Sequence, residues 1–516
     1  YGITPDDVWK DWDIISAYTT VLAMLNPLFY SEAYESNAVN HYHYSTYGYA
    51  YLSFQFPTGV NYPCLPVRTK NGLVFPLAGE TFATAPEIYL ANSLGCKIEI
   101  QKGIIIPVDE SGGHPFLPFV KHIQQKRNLP NQTALGNMLW KQIGNSLYGK
   151  ISQGSKTKRL YDPRIGNSKY IKPSKCSNLY FGAYTTGYLR ALIAEIMNAI
   201  PADKDIISVT TDGFISNASD SQIKNACTGE IAQLFSLFRN KISGDSCILK
   251  EKYAVKSLLS WRTRGQATIK QIDGSDDIIL AKSGIKTPHT DKFNQNKFIV
   301  DLFLQRNRKT KMEISFPKPL QLICKTGCDQ TITTRSIRVN MDYDFKRTLC
   351  RPFGVEYSGK PILCFKTAPH KTIDNFNALS LHLHNYQISN YNFMTSVENL
   401  RNFTSYIKAS VAQESSGVIV RRTKRHGQSD LDVAMKTFFT AYARQAMGLE
   451  RLVTYKSLAN WLTDNNYACS ESTIKNCAKS KIIFHFNSVP KTKVTLAFVE
   501  FIKSKFTNFE DTKFFS

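Results

Sequence analysis

The sequence lacks the features of several protein classes. No apolar run in its 516 residues approaches the roughly 18–20 residues that a membrane-spanning helix needs, so we expect no membrane partner. Internal repeats are also lacking, which argues against a solenoid. The 11 cysteines are odd in number and scattered, unlike the disulfide framework of a small secreted domain. These absences favour a multidomain protein from a reducing compartment.

Positive charge is in clear excess. The chain carries 64 Lys and Arg against 41 Asp and Glu, a formal net charge of +23. Hydrophobic residues make up 42% and aromatic residues 12% of the chain, enough to build several cores and to exclude general disorder. A polyanionic partner is therefore expected, and nucleic acid is the commonest one. The alternative is that the charge only aids solubility.

Three short segments combine charged side chains with clear local structure. Asp13 ends a predicted strand and is followed by a turn and an apolar helix. Asp212 lies in the Asp-Gly turn of a hairpin predicted over 205–216. Between them, a helix predicted over 132–149 contains the run KQIGNSLYG. The chain thus places two acids at the ends of β-structure, on either side of a helix with polar and apolar faces.

In this order, the segments resemble motifs A, B and C of the family B DNA polymerases, usually written DxxSLYPS, KxxxNSxYG and DTDS. Motif B matches at every defined position, whereas motif A has Ala17 in place of Leu and Thr19 in place of Pro. The resemblance covers residues 8–265, about half of the chain. It implies an α+β fold of the right-hand type, with palm, fingers and thumb. It also implies template-directed DNA synthesis, in which a dNTP is joined to a 3′-hydroxyl.

The two acids suit the chemistry of that reaction. Phosphoryl transfer of this kind uses two divalent cations about 3.5–4 Å apart, and such cations prefer oxygen ligands. Asp13 and Asp212 are the expected catalytic residues and ligands of two Mg²⁺ (or Mn²⁺) ions, with the backbone carbonyl of Ile14 as a further metal contact. Taken alone, Asp13 is equally explained as a helix cap and Asp212 as an ordinary turn residue. The ordered set of three motifs favours catalysis.

The motif B helix is predicted to have two faces. At 100° per residue, the polar side chains fall on one face of the helix, namely Lys141, Asn145 and Tyr148. The opposite face is apolar, and we expect its side chains to pack, namely Leu139, Ile143 and Leu147. The polar face suits a triphosphate and a base pair. By resemblance, Lys141 contacts the phosphates of the incoming nucleotide, while Tyr148 with Gly149 lies against the nascent base pair.

The resemblance assigns further residues to the nucleotide. Tyr18 would stack under the sugar and exclude a 2′-hydroxyl, and Ser16 would belong to the same site. Arg127 is the expected second ligand of the triphosphate, ahead of Lys121 and Lys126. Without the resemblance, Tyr18 is more simply a core residue, and each of these cations is a solvated charge.

Two departures from the family pattern affect the interpretation. Motif C has Thr210 where the family usually has a second acid, so a catalytically degenerate DNA-binding protein with the same fold is the alternative. Between Asp13 and Lys141 lie 127 residues, and this insertion, with the TDG-type motif C, resembles the protein-primed and self-priming subgroup of bacteriophages and linear plasmids. That subgroup implies a viral or mobile element and the cytoplasm of its host, although a nucleus or organelle stays open. It also implies a terminal protein or an accessory replication factor as partner.

Basic segments beyond the motifs are expected to hold DNA. Lys252 and Tyr253 resemble part of the KKxY element that contacts the primer, although Glu251 replaces its second Lys, and Arg264 follows in a turn. Residues 141–180 contain nine Lys and Arg but one acid, as in a segment that follows phosphates.

The C-terminal part has a different pattern. Helices predicted over 455–465 and 470–480 resemble a helix-turn-helix pair, with Lys475 and Lys479 on the exposed side of the second helix as DNA contacts. The alternative is an ordinary helical extension of a thumb. The segment 413–428 is polar and basic, and it is the most prominent candidate for a domain boundary.

These patterns give a five-part domain prediction and a set of partners. In chain order, the parts are a palm with an insertion over 1–120, fingers over 121–150, palm with motif C over 151–290, thumb and extension over 291–428, and a basic helical region over 429–516. Template DNA, primer DNA and dNTPs are the expected partners. An RNA-copying polymerase would share paired carboxylates on strands but would lack the motif B helix.

Overall fold

The chain forms two compact units, Tyr1–Ala378 and Leu379–Ser516. The computed structural model describes residues 1–275, 277–287, 294–306, 311–326, 331–390, 394–415, 429–479 and 489–515. The first unit combines helices with sheets in which the named strands pair antiparallel, which confirms the α+β class. Most of the predicted boundary at 413–428 lies outside the described residues. The five-part domain division stays a prediction.

The named strands all lie in the first unit, and helices occur in both units. The strands are β1 Gly2–Ile3, β2 Trp9–Ile14, β3 Tyr34–Glu35, β4 Tyr47–Gln55, β5 Val67–Thr69, β6 Gly72–Val74, β7 Ala78–Thr84, β8 Lys97–Ile106, β9 Arg159–Asp162, β10 Asn167–Tyr170, β11 Ile206–Val209, β12 Gly213–Ser216, β13 Leu249–Val255, β14 Ser257–Arg262, β15 Gly265–Lys270, β16 Lys311–Pro317, β17 Ile332–Arg338, β18 Thr348–Tyr357 and β19 Lys360–Ala368. The helices are α1 Ala17–Met24, α2 Ala85–Ser93, α3 Leu117–Arg127, α4 Ala134–Ile151, α5 Leu179–Ala199, α6 Asp220–Ala226, α7 Glu230–Ser243, α8 Gln295–Gln305, α9 Leu320–Thr326, α10 Ile373–Asn390, α11 Val397–Ser415, α12 Asp430–Ala443, α13 Tyr455–Asp464, α14 Glu471–Lys479 and α15 Lys493–Lys503.

An antiparallel four-stranded sheet, ordered β11-β12-β2-β13, carries motifs A and C. Successive side chains on a strand point to opposite faces. On β2, Trp12 and Ile14 are therefore buried in the core, whereas Asp11 and Asp13 lie on the opposite, partly exposed face. The hairpin predicted around Asp212 is confirmed as β11 and β12.

The insertion after motif A forms a second antiparallel sheet, ordered β3-β8-β4-β7. Strand β4 alternates, with Leu52 and Phe54 buried and Tyr49 and Tyr51 on the outer face. The inner face packs into the same hydrophobic core as α5. Strands therefore dominate the insertion, which also contains helix α2.

The motif B helix, α4, packs through only part of the predicted face. Leu139 and Ile143 are 52% and 42% exposed, so the prediction that they pack is wrong, whereas Leu147 is partly buried and packs against the core as predicted. The buried positions are Gly144 and Ile151. Because Gly144 has no side chain, α4 can approach α3 closely, and a Cβ at this position would lie 3.2 Å from a methyl group of Ile123. The face of α4 that packs against α3 is therefore the one that contains Gly144.

The second unit is helical in its described part. Helices α12 to α15 surround a core in which Phe438, Leu462, Ile474 and Phe498 are buried. Helices α13 and α14 confirm the predicted helix pair. None of the helices in the described ranges is long and apolar enough to span a membrane.

Candidate active site

Asp13 and Asp212 lie at the same end of the four-stranded sheet β11-β12-β2-β13. Asp13 is the last residue but one of β2, and it lies opposite Gly213 of β12 in the antiparallel register. The backbone N–H of Ile14 donates to the carbonyl oxygen of Asp212 over 2.6 Å. The pairing of β2 with the motif C hairpin thus brings together two acids that are far apart in the sequence.

Lys252 also reaches this end of the sheet. Its Nζ lies 3.4 Å from Oδ2 of Asp13. The register of β13 against β2 shifts between Glu251 and Tyr253, so Lys252 is the extra residue of a β-bulge, a feature that redirects side chains. Burial alone would lower the pKa of Lys252, but the charges of Asp13 and Asp11 raise it above its ordinary value. A residue predicted as a primer contact therefore lies against a catalytic candidate.

Asp11 is a site residue that the sequence analysis missed. It lies on the same face of β2 as Asp13, because residues two apart on a strand share a face. The pKa of Asp11 is raised to about 6, chiefly by burial; the nearby Lys252 acts to lower it, and the negative charges of Asp13 and Asp212 act to raise it. The Asp-x-Asp spacing on a predicted strand was the signal that could have revealed this residue.

The oxygen atoms at this site suit a hard divalent cation. Thr210 Oγ1 donates to Oδ1 of Asp212 over 3.2 Å, and the side chain of Asp13 is 42% exposed. Carboxylate oxygens on adjacent strands are ligands that Mg²⁺ and Mn²⁺ accept. Within the described ranges, no three His, Cys, Asp or Glu side chains are grouped closely enough to hold a metal ion. The site therefore offers a pair of carboxylates rather than a complete protein cage.

Two tyrosines connect motifs A, B and C. The ring centroids of Tyr18 and Tyr148 are 4.6 Å apart, and the hydroxyl groups of Tyr148 and Thr186 are within 3.3 Å. Burial raises the pKa of Tyr18, as do the neighbouring Tyr148 and Asp212, whereas a hydrogen bond with Thr211 of motif C lowers it. Tyr18 is thus half-buried and also lies beside Asp212 and Tyr148. Its interpretation as a core residue therefore does not exclude its interpretation as a contact of the sugar.

An ion pair beside these tyrosines was also missed. Arg190 Nε on α5 donates to Oε1 of Glu87 over 2.7 Å, and the Glu87 side chain is fully buried. The other carboxylate oxygen of Glu87 accepts bonds from the backbone and the hydroxyl group of Thr84 at the start of α2. Burial lowers the pKa of Arg190, but the charge of Glu87 raises it above its ordinary value, with smaller contributions from Tyr148 and Tyr18. No local pattern predicts a pair separated by 103 residues.

The predicted triphosphate ligands lie on two neighbouring helices. Arg127 Nε at the end of α3 donates to Oδ1 of Asn137 on α4 over 3.0 Å. Lys141 lies one helical turn after Asn137, and Lys141 and Asn145 are both exposed. The structure therefore brings Arg127 to the helix that carries Lys141, as the prediction requires.

The remaining predicted residues of the first unit occupy turns and edges. Ser16 adopts a left-handed conformation, with φ 52°, between β2 and α1, and Arg264 does so, with φ 58°, between β14 and β15. Gly149 has open space around its α-carbon. The side chain of Tyr253 is 38% exposed, and its ring lies 5.9 Å from Lys252 Nζ.

The predicted DNA contacts of the C-terminal region belong to the second unit. Lys475 and Lys479 are exposed on α14, and Lys475 forms a 2.7 Å ion pair with Glu471. An exposed pair of this kind contributes little stability. Both lysines are thus accessible on one helix surface, together with Ser472 and Asn476.

Replacing Gly213 by Ala is expected to lower nucleotide incorporation about a hundredfold. A Cβ at this position would lie 2.4 Å from the carbonyl oxygen of Trp12 and 2.7 Å from Oδ1 of Asp13, so β12 would have to move away from β2. Displacing a reacting group by about 1 Å can cost this much. The measurement is the steady-state incorporation rate, with Gly59→Ala as control because its Cβ would meet nothing within 4 Å. A parental rate for Gly213→Ala would show that the close approach is dispensable.

Comparisons with known proteins support the polymerase resemblance. A family model described as "Primer-independent DNA polymerase PolB C-terminal domain" matches residues 397–505. A curated protein of Escherichia coli, "Primer-independent DNA polymerase PolB", is 32% identical over 523 aligned residues, which cover 98% of this chain and 58% of that protein. The chain therefore spans 58% of the length of this relative.

Solved structures with a distant likeness include two of Phi29 DNA polymerase. The ternary complex with primer-template DNA and incoming nucleotide has 13% identity and a TM-score of 0.39, and it covers 70% of this chain and 58% of that chain. An orthorhombic crystal form has 14% identity and a TM-score of 0.41, with the same coverage. No residue role is carried over from structures at this distance.

The sequence match and the motifs point to the same resemblance. The similarity to the Escherichia coli protein extends over nearly the whole chain, and so includes all three motif segments. The structure joins those segments through the β2–β12 pairing and the contact of Tyr18 with Tyr148. The chain is thus similar over nearly its whole length to a primer-independent DNA polymerase, in agreement with its resemblance to the family B DNA polymerases.

Proposed function

We propose that this chain carries the catalytic centre of a template-directed DNA polymerase. The observation that supports this most strongly is the pairing of β2 with β12, which holds Asp13 and Asp212 at one end of the sheet beside the Tyr18–Tyr148 pair. In this proposal, a dNTP is joined to the 3′-hydroxyl of a primer strand on template DNA. The name of the Escherichia coli relative adds that synthesis can also begin without a primer.

The catalytic carboxylates are Asp13 and Asp212, with the carbonyl group of Ile14 as a further ligand of two Mg²⁺ or Mn²⁺ ions. When bound, the ions activate the 3′-hydroxyl and neutralise the triphosphate. Lys252 stays protonated beside Asp13, and we propose that its ammonium group shifts to the primer strand as that strand enters. Asp11 adds negative charge to the same face and so strengthens the attraction for cations.

The nucleotide is held by the neighbouring helices α3 and α4. In this proposal, Lys141 and Arg127 bind the triphosphate, and Asn145 lies on the same polar face of α4. Their ammonium and guanidinium groups are suited to phosphate oxygens, and arginine can bind them through two parallel hydrogen bonds. Tyr148 and Gly149 lie against the base pair, while Ser16 and Tyr18 contact the sugar.

DNA outside the catalytic centre is held by basic residues. We propose that Tyr253 and Arg264, with Lys252, contact the primer strand, and that Lys475 and Lys479 on α14 contact duplex DNA. A terminal protein or an accessory replication factor is a further proposed partner, and the host cytoplasm of a virus or mobile element is the proposed setting. The basic surplus of the chain suits such polyanionic substrates.

The experiment is a DNA synthesis assay with the purified 516-residue protein. Template with and without primer is incubated with dNTPs and with Mg²⁺ or Mn²⁺, and products are separated by size. Extension of a primer supports the proposed reaction, and products from template alone support a start without a primer. If the folded protein binds DNA but forms no product with either ion, the degenerate alternative suggested by Thr210 replaces the polymerase proposal.

Replacing Tyr18 by Ala is expected to reduce the preference for dNTPs over rNTPs by about tenfold or more. The ring would no longer occupy the space under the sugar, and steric discrimination of this size is typical of a single side chain. The measurement is the ratio of kcat/KM values for a dNTP and the matching rNTP. Tyr18→Phe keeps the ring and should keep the preference, and Tyr51→Ala on the insertion sheet is the control. Unchanged discrimination in Tyr18→Ala would remove Tyr18 from the sugar site.

A further inference from the structure

Two exposed tyrosines lie side by side near the end of the motif B helix. Tyr30 and Tyr180 are 50% and 40% exposed, and their ring centroids are 5.8 Å apart. Tyr30 begins a one-turn 3-10 helix in the insertion, and Tyr180 lies in the first turn of α5. Segments separated by 150 residues thus expose two aromatic rings on one surface, where exposed aromatic clusters commonly bind a partner.

The Tyr30 ring is held by a hydrogen bond to its hydroxyl group, and the Tyr180 ring packs between those of Tyr30 and Tyr49. Asn178 Nδ2 donates to the hydroxyl group of Tyr30 over 2.6 Å, while Asn178 Oδ1 caps α5 by accepting from the backbone of Phe181. Tyr49 donates its hydroxyl to the carbonyl oxygen of Tyr180 over 2.8 Å, and the two rings are 5.2 Å apart. We call Tyr30 and Tyr180, with their anchors Asn178 and Tyr49, the tyrosine platform. Rings ordered in advance lose little entropy on binding.

The platform is joined to the motif B helix and to positive charge. The backbone N–H of Asn178 donates to the carbonyl oxygen of Ile151, the last residue of α4. Ser174 and Ser177 both donate to the carbonyl oxygen of Lys150, so the exposed Lys150 lies close to the platform. The lysines at 172 and 175 are also exposed in this segment. Cations beside aromatic rings form the pattern of single-stranded nucleic acid sites.

The tyrosine platform is connected through α5 to Tyr148, which we propose lies against the base pair. Tyr148 contacts α5 at Thr186, and Thr186 follows Tyr180 by six positions on that helix. Six residues of α-helix span about 9 Å. Because stacked nucleotides rise about 3.4 Å each along one strand, this distance corresponds to about three nucleotides.

We propose that the tyrosine platform stacks unpaired bases of the template strand as it approaches motif B, while Lys150 and its neighbours contact the phosphates. The partner is single-stranded DNA without sequence preference, because every base offers an aromatic face. The surface is aromatic rather than aliphatic and lies beside lysines, which favours nucleobases over an apolar protein partner. In the sequence around Tyr30, the nearest acidic residue is Glu32, whereas the segment before Tyr180 contains the exposed lysines named above. The inference rests on the proposed function, since it assigns a track to the template of that reaction.

The test measures binding without catalysis. A fluorescein-labelled oligodeoxythymidylate and a labelled duplex are titrated with the protein in the absence of divalent metal, and fluorescence anisotropy gives both affinities. For Tyr30→Ala/Tyr180→Ala, the affinity for the single strand should fall about tenfold or more, while duplex affinity should change less than about twofold. Each single variant should show part of the loss. Tyr180→Phe should bind like the parent, because it keeps the ring.

Controls separate the outcomes. Phe353→Ala removes a ring with a similar exposure, 48%, elsewhere in the first unit, and it should not change either affinity. Thermal melting must show that each variant is folded. If the folded double variant bound the single strand as tightly as the parent, the inference would be overturned. It would also be overturned if a protein bound to this surface without changing the affinity for single-stranded DNA. Because no synthesis is measured, loss of single-strand binding would support the platform even if the parent formed no DNA product.

Discussion

Replacing either Asp13 or Asp212 by Asn is expected to lower nucleotide incorporation on the order of 10³-fold. Each substitution removes a negative charge from the sheet end where we propose that two cations bind, and the lost electrostatic stabilisation acts on the transition state. Asn keeps the size of the side chain, so β2 and β12 should pair as before. The measurement is single-turnover incorporation of one dNTP on a primed template at saturating nucleotide.

The matched control is Asp203→Asn. Its carboxylate side chain is 71% exposed and its ion pair is with the neighbouring Lys204, so the charge change is the same but lies away from the β2–β12 pairing. Parental rates for Asp203→Asn together with large losses for both site variants would localise the effect. If Asp212→Asn retained more than about a tenth of the parental rate, the proposed two-carboxylate centre would be wrong, and Asp11 would become the candidate second acid. The loss of the Lys252 ion pair in Asp13→Asn should cost little stability, because that pair is half-exposed.

Local sequence patterns predicted the parts of the site that depend on local geometry. The Asp-Gly turn predicted the motif C hairpin, and the strand that ends near Asp13 predicted the position of Asp13 at the end of a strand. Both features need only neighbouring residues, and strand pairing then follows from burial of Trp12 and Phe214 in one core. The family resemblance supplied the expectation that motifs A, B and C belong to one site.

Features that depend on packing or register were not predictable from one sequence. The extra residue in β13 redirects Lys252 towards Asp13, and a register shift leaves no mark in the hydrophobic pattern. On α4, apolar periodicity favoured Leu139 and Ile143, but close approach at Gly144 determined the buried face. The anchoring of Tyr30 by Asn178 likewise joins distant segments.

Replacing Glu87 by Gln is expected to lower the stability of the first unit by about 3 kcal/mol. The carboxylate is fully buried and is bonded to Arg190, so its neutral replacement leaves the charge of Arg190 without its counter-ion. Breaking one partner of a buried pair typically costs about 3–5 kcal/mol. The lower end applies because 23% of the Arg190 side chain remains exposed. Urea unfolding, followed through the transition of the first unit, gives the measurement.

A double variant decides whether the pair itself is responsible. Glu87→Leu/Arg190→Leu removes both charges and should be less destabilising than Glu87→Leu alone, because no buried charge is left unpaired. Glu99→Gln, at an exposed position of β8, is the control and should be within about 0.5 kcal/mol of the parent. Equal losses in the single and double variants would show that packing at Glu87 matters and the ion pair does not. Glu87 lies on α2 of the insertion, and Arg190 lies on α5, the helix that Tyr148 contacts. The ion pair therefore links the insertion to the helix beside the proposed nucleotide site.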